Sequence, residues 1–449
     1  MMRTLLFFLA LGLFTSLAGA EPAAQAAGRR PNVVLIFSDD QGTLDVACYG
    51  AKDLHTPNLD ALAQRGVHFT QCYTAAPVCS PSRAALLTGR YPQRAGLATN
   101  APSQPGGHGM PTQQLTLAEL LKGAGYRTAL FGKWHLGTVP ECEPNGQGFD
   151  EFYGHKSGCI DNYSHFFYWS GPPIHDLWRN NQEIHEDGKH FSELIVREAK
   201  RFISENRERP FFLYLPFNTP HYPLQAQERF RRRYRQLPEP RRSYAASVTS
   251  LDAAIGEVLE QLDRLRLRER TLIVFLSDHG HSTEERTNLG GGFAGPYRGS
   301  KFGMFEGGIR VPCIASLPGT IPAGAVRDQL VTSIDWFPTI AELCGVKLPE
   351  RKLDGRSLVP VLQSADAASP HPVFHWQLGN QWAAREGDWK LIVNARDTDG
   401  KPVPESERTF LANLRLDPGE RRNFAGEQPD LVKRLRDLHE TWARTVVEQ

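Results

Sequence analysis

Three runs of apolar residues are too continuous to leave a face in water. Residues 32–37 read NVVLIF, residues 211–215 FFLYL and residues 271–276 TLIVFL. A strand with one wet face alternates apolar and polar positions. These runs do not alternate, so each is expected to be a strand buried on both faces, within a mostly parallel sheet covered by helices on two sides. The segments between them fit that demand. Thr56-Pro57 opens a helix that Gly66 closes. Residues 116–122 read as a helix and 126–131 as a strand. Residues 190–206, 244–265 and 335–344 carry helical patterns. The expected class is α/β, a mixed and mostly parallel sheet flanked by helices, in a body spanning residues 31–362. From about His371 the texture changes. Short strands over 373–376, 381–385 and 389–393, then a helix over 430–447, predict a smaller α+β C-terminal subdomain over 371–449. Residues 363–372 form the linker.

The first residues follow a different logic. Met1 to Arg3 is basic, residues 5–14 are apolar, and Ala18-Gly19-Ala20 offers small residues for cleavage. This pattern predicts a signal peptide over residues 1–20, a flexible leader over 21–30, and an exported protein, periplasmic or secreted. No later stretch is long and uncharged enough for a membrane span. The formal net charge of +1 excludes a global footprint for nucleic acid, so any anion binding must be local. Seven cysteines make an odd count for an exported chain. Six could pair and one could remain for chemistry, and no CxxC or Cys/His zinc spacing occurs.

Each buried run ends in polar residues. Residues 32–37 lead into Ser38-Asp39-Asp40, residues 271–276 into Ser277-Asp278-His279-Gly280, and residues 211–215 reach Asn218-Thr219-Pro220-His221. Ligands of open α/β sheets bind beyond the carboxyl ends of the strands, so these clusters are expected to converge. Adjacent Asp39 and Asp40 fit either a helix N-cap pair or a cation site. Oxygen donors suit Ca²⁺ or Mg²⁺ better than zinc. The segment from Cys79 to Arg90, CSPSRAALLTGR, places Cys79 at the start of a helix and Arg83 one turn in. Free amides and the helix dipole at that point favour an anion. A buried structural cysteine beside a cap is the other reading.

The Cys79-Ser80-Pro81-Ser82-Arg83 … Thr88-Gly89-Arg90 segment resembles the maturation signature of the type I sulfatases. Pro31-Asn32-Val33 … Asp39-Asp40, Gly132-Lys133-Trp134-His135-Leu136-Gly137, Ser277-Asp278-His279-Gly280 and Lys301 … Glu306-Gly307-Gly308 extend the resemblance over nearly the whole mature chain. The resemblance implies an alkaline-phosphatase-like core with a smaller C-terminal domain. It implies that a separate maturation enzyme oxidises Cys79 to formylglycine, and that Asp39, Asp40, Asp278 and residue 79 bind one divalent cation, Ca²⁺ or Mg²⁺. His279 fills a position where many members carry Asn, and because imidazole is a poorer calcium ligand it either joins the metal, sits behind the ligands or contacts sulfate. Arg83 and Lys133 would orient the formylglycine, and His221 and Lys301 would meet the sulfate and leaving oxygen.

The implied reaction accounts for these residue types. A sulfate ester needs its oxygens neutralised and an attacking oxygen in line with the leaving alkoxide. The cation, Lys133, Lys301 and Arg83 do the first. A hydrated aldehyde at position 79 does the second, with His221 or Lys301 as acid and His135 as base. The substrate would be an aryl sulfate or a sulfated sugar. A phosphodiesterase or phosphonate monoester hydrolase of the same superfamily and a silent polysaccharide-binding protein are the alternatives. Three other features draw expectations. The arginines between residues 228 and 242 are a solvated face or a grip for a polyanion. Residues 290–299 are expected to shape the substrate pocket. Trp376, Trp382 and Trp389 are expected in the subdomain core rather than stacked on sugars.

Overall fold

The computed structural model describes residues 30–398 and 401–447, so the expected signal peptide and all but the last residue of the leader lie outside the described residues. The main sheet has ten strands: β1 Asn32–Ser38, β2 Val67–Phe69, β3 Arg127–Lys133, β4 Glu151–His155, β5 Trp178–Arg179, β6 Gln182–Glu183, β7 Phe211–Pro216, β8 Thr271–Ser277, β9 Cys313–Ser316 and β10 Ala325–Arg327. Their order is β10-β2-β9-β8-β1-β7-β3-β4-β5-β6. The centre, β8-β1-β7-β3-β4, is parallel, and antiparallel pairs extend it on both sides.

The buried runs sit at that centre for the reason their sequences imply. In β1, Val33, Leu35 and Phe37 point into one core and Val34 and Ile36 into the other. The first core is covered by the Cys79–Thr88, Leu117–Gly123 and Trp336–Leu343 helices, and the second by Pro57–Gln64, Phe191–Glu205 and Arg241–Arg264. Burying each such Val, Leu or Ile side chain stabilises the sheet by about 1.5–3 kcal/mol. Local signals set several helix ends. Thr116 and Glu119 form a reciprocal capping box, and the His190 ring accepts from the Ser192 amide. Arg65, not Gly66, closes the helix begun at Pro57.

Four further strands, β11 Val373–Leu378, β12 Gln381–Glu386, β13 Trp389–Val393 and β14 Thr409–Asn413, form an antiparallel sheet in chain order, and the Pro429–Val447 helix lies against it. Sequence reading identified three of these strands and missed β14, which follows a polar loop. Trp376 is fully buried, and its indole N–H donates to Thr74 O at 2.8 Å, tying this sheet to the segment leading to Cys79. Trp382 stacks on His439 at 4.0 Å and Trp389 packs with Phe424. All three tryptophans are therefore packing residues, as expected.

Two expectations need correction. All seven cysteines are free thiols, so none of the six pairs. The odd count therefore lends no support to a special role for Cys79. The loop at residues 290–299 packs elsewhere than the cavity beside Cys79. Arg241 donates to Gly291 O, the Phe293 amide donates to Asp45, and Arg298 pairs with Asp397 and Glu407. Buried Asp45 holds this loop down through charge and hydrogen bonding. Most of the arginine run stays on the surface, where Arg229 pairs with Glu193 and Arg232 with Glu228, but Arg241 turns inward to buried Asp45. Among the described residues no helix is long and apolar enough to cross a membrane.

Candidate active site

The four central strands that carry polar ends are neighbours and run parallel, so their carboxyl ends meet along one edge. β1 delivers Asp39 and Asp40, β8 delivers Asp278 and His279, β3 delivers Lys133 and His135, and the segment after β7 delivers His221. The Cys79–Thr88 helix brings Cys79 in its first turn, with Val78 as cap. Lys301 arrives from a loop whose backbone is fixed by its amide donating to His281 O. All ten residues singled out from the sequence are buried and gathered here.

The serines of the Cys79–Arg83 segment serve as ties. Ser80 Oγ donates to His135 O and Ser82 Oγ to Asp278 O, both at 2.6 Å. The helix start is thereby fastened to two site loops. Its amides are largely used already: Ser80 N–H donates to Asn100 Oδ1, position 81 is proline, and Ser82 N–H donates to Val78 O. The expected row of free amides for an anion is not there, and anion reception falls to side chains. Gly280 is required by close approach. A Cβ there would sit 1.8 Å from Gly307 O, which is why the Ser277–Gly280 and Glu306–Gly308 motifs can adjoin.

Charge is arranged in pairs. Lys133 Nζ lies 2.6 Å from Asp39 Oδ2. Arg83 lies 2.9 Å from Asp278 Oδ2 and 3.4 Å from Asp39 Oδ1, so it clamps two carboxylates at once. Lys301 Nζ lies 2.9 Å from Asp40 Oδ1 and His221 Nε2 3.6 Å from Asp40 Oδ2. His279 Nε2 lies 3.4 Å from both Cys79 Sγ and Asp40 Oδ1, and 3.5 Å from Asp278 Oδ1. Both His221 and His279 direct Nδ1 at a backbone carbonyl, 2.7 and 3.0 Å away, so that nitrogen carries a proton and Nε2 faces the site.

Burial opposes charge on Asp39, Cys79 and Asp278, and the neighbouring charges decide the outcome differently for each. Burial raises the Asp39 carboxyl, yet Lys133, His221 and Arg83 outweigh it and hold the group far below the usual carboxylate range. Burial likewise opposes the Cys79 thiolate, but Lys133, Lys301 and His279 bring the thiol well below its ordinary value. Asp278 is raised by burial and then by Asp39. Burial pushes His135 down, so its ring stays neutral beside Cys79.

Ligand atoms of Asp39, Asp40, Cys79 and His279 all lie within 4.8 Å of one another. Asp278 stands outside that quartet, since Arg83 holds Oδ2 and the Asp40 amide donates to Oδ1 at 3.1 Å. Buried Asp40 Oδ1 accepts no well-aligned hydrogen bond despite the nearby Lys301. Three cationic side chains already face three carboxylates. A divalent cation among these oxygens would therefore make the site net positive, the sign an anionic ester needs. Asp39 and Asp40 supply the oxygens a hard cation takes, while the Cys79 sulfur and His279 imidazole are softer donors, so the set fits a hard cation only where position 79 also offers oxygen.

A cavity of about 250 Å³ opens beside Cys79 and is walled by His135, His221, Tyr222, Trp169, Phe167 and Arg286, among others. Gly158 leaves room for the His135 ring, because a Cβ there would meet it at 2.8 Å. Sequence reading missed Asn100, Trp169, Tyr222, Glu284 and Arg286. Glu284 lies 3.4 Å from Lys301. Only Tyr222, adjoining His221, had a local cue.

Residues 31–346 match the family model for sulfatase, and residues 299–443 match that for the C-terminal part of N-sulphoglucosamine sulphohydrolase. The chain is 34% identical to human arylsulfatase A, over 95% of this chain and 90% of that protein. It is 35% identical to N-acetylgalactosamine-6-sulfatase of Canis lupus familiaris, over 84% and 74%. The crystal structure of Ps i-CgsB superposes with a TM-score of 0.83 at 32% identity, covering 92% of this chain and 93% of that one. The same protein has also been solved in complex with k-i-k-neocarrahexaose, where the TM-score is 0.81. By the extent of these matches, this chain belongs to the sulfatase family, hydrolases of sulfate esters.

Proposed function

We propose that the chain is exported after cleavage behind Ala20 and removes sulfate from a sulfated carbohydrate, using formylglycine made from Cys79 by a separate maturation enzyme and one Ca²⁺. The observation that carries this reading is the position of Cys79. It stands between the carboxylates of Asp39 and Asp40 on one side and a cavity with aromatic walls on the other. Trp169 and Tyr222 meet edge to face at 5.4 Å, and such surfaces suit a sugar ring. Similarity to a protein solved with k-i-k-neocarrahexaose supports the same substrate class.

Asp39, Asp40, His279 and residue 79 would hold the cation, with Asp278 Oδ1, 3.5 Å from His279 Nε2, at the edge of that group, and the cation would supply a Lewis acid against sulfate oxygens. A hydrated aldehyde at position 79 supplies a hydroxyl nucleophile and a second hydroxyl whose deprotonation releases sulfate. Lys133 and Arg83 keep Asp39 ionised, and Arg83 also fixes Asp278. Lys301 holds its charge strongly, since Asp40 and Cys79 outweigh its burial, and so binds the anion rather than trading protons. His221 presents Nε2 to the leaving oxygen. His135, neutral through burial, accepts the proton from position 79.

Turnover by matured, calcium-loaded protein across sulfated mono- and oligosaccharides, an aryl sulfate and the matching phosphate esters tests this proposal. A sulfated sugar is expected to give the highest kcat/KM. Preference for the phosphate esters would overturn the reaction assignment, and preference for the aryl sulfate would overturn the substrate class. N-terminal sequencing of exported protein is expected to begin at Glu21, and retention of Met1 in membranes would refute the cleavage.

A further inference from the structure

A second cluster of metal-binding side chains lies in the segment from His165 to Lys189 and shares no residue with the catalytic group. The His165 side chain is fully buried and its Nε2 lies 3.1 Å from Lys189 O. A carbonyl only accepts, so Nε2 carries the proton and Nδ1 presents a lone pair. His175 mirrors this arrangement. Its side chain is 5% exposed, and its Nδ1 donates to the Glu183 carboxylate at 2.9 Å, which leaves the lone pair on Nε2. Both outward nitrogens, His165 Nδ1 and His175 Nε2, are buried without any hydrogen-bond partner. Both face the same oxygen, Asp187 Oδ1, at 3.9 and 3.8 Å. The three atoms lie within 4.8 Å of one another.

A buried polar atom without a partner is costly, by about 1–3 kcal/mol, and two that converge on one carboxylate call for a common partner. The pattern is that of metal-binding imidazoles, whose second nitrogen is anchored to a carbonyl or carboxylate to fix the tautomer. Tetrahedral zinc with bonds of about 2.0–2.2 Å sets its ligand atoms roughly 3.3–3.5 Å apart. The two carboxylate distances need to shorten by about half an ångström, which the Asp187 side chain, 61% exposed, is free to do, and the two nitrogens already lie within 4.8 Å of each other. Two imidazoles and one carboxylate suit zinc and reject calcium. Burial also holds the His165 ring neutral, as a ligand must be.

We propose that His165, His175 and Asp187 form a zinc site that pins the hairpin walling the catalytic cavity. The strand pair Phe166–Phe167 and Ile174–His175 adjoins one ligand and ends in the other. Between them the chain carries Phe167, Trp169 and Ser170, which line the cavity beside Cys79. A metal joining both ends of the hairpin to Asp187 would hold that wall in place. The alternative trio of His175, Glu183 and His185 is more exposed, and its Glu183 already accepts from His175 Nδ1.

The test is a zinc count on the full mature chain, chelated and then dialysed against Zn²⁺, for wild type, His165→Gln, Asp187→Asn and His185→Ala. Wild type is expected to hold one zinc more per chain than His165→Gln, and Asp187→Asn is expected to weaken that zinc at least tenfold. His185→Ala is expected to keep it. Co²⁺ at this site is expected to lack the sulfur charge-transfer band that a Cys79 site would give. Equal zinc affinity in wild type and Asp187→Asn, read from the count over a series of free Zn²⁺ concentrations, would overturn the proposal, as would loss of zinc in His185→Ala alone. The exposed Asp187 makes its variant safe for folding should His165→Gln fail. The count needs no turnover, so its result stands apart from the sulfatase reading.

Discussion

Lys133→Met removes one charge from the most buried part of the site while nearly preserving the side-chain length. Lys133 is fully buried and its ammonium lies 2.6 Å from Asp39 Oδ2. At an effective dielectric of about 20, that pair attracts by roughly 6 kcal/mol, and desolvation of the ammonium offsets several of them. Breaking one partner of a buried pair typically costs about 3–5 kcal/mol. Arg83 remains 3.4 Å from the same carboxylate, so the loss should fall near the lower end, about 3 kcal/mol. The kinetic loss is separate. Lys133 leads the charges that favour an anion at position 79, and removing one preorganised charge from such a site costs about 10²–10³ in kcat. Denaturant unfolding measures the first effect, and kcat and KM on matured, calcium-saturated protein measure the second. A folded Lys133→Met enzyme with kcat within threefold of wild type would refute the electrostatic role.

Cys79→Ala is expected to abolish turnover yet retain substrate, and Cys79→Ser to react once and stall for want of a second hydroxyl. Peptide mass spectrometry on active protein should find an aldehyde at position 79, and full-rate turnover by the bare thiol would sink the mechanism. Asp39→Asn should lose calcium, measured by equilibrium dialysis, and most activity, with circular dichroism near normal. Activity that survives rigorous chelation would contradict the metal assignment. Glu198 bonds to Arg179, Arg197 and Arg201. Burial raises its carboxyl, but Arg179 and Arg201 bring it down to about 2 from an ordinary 4.5. A depressed acid contributes stability above pH 4.5 that is lost as pH falls towards 2. Glu198→Gln should therefore be less stable at neutral pH and flatter in its acid unfolding curve. An unchanged curve would show that these pairs contribute nothing.

The sequence alone determined the sheet centre, because strands buried on both faces must be apolar at every position and few other structures tolerate such runs. It also placed the site residues, since a parallel strand order makes strand ends meet, and Ser38-Asp39-Asp40 and Ser277-Asp278-His279 sit at such ends. Only the tertiary structure decided which charges pair. Arg83 and Lys133 reach carboxylates that are 44 to 195 residues away in the chain, and no local pattern encodes that distance. Thiol pairing was likewise decided by geometry, and all seven cysteines remain free. The aromatic wall and the His165–His175–Asp187 group arise from a loop whose short strands carry weak periodicity. Their meeting depends on hairpin pairing and on burial of imidazole nitrogens, and both exist only once the chain has folded.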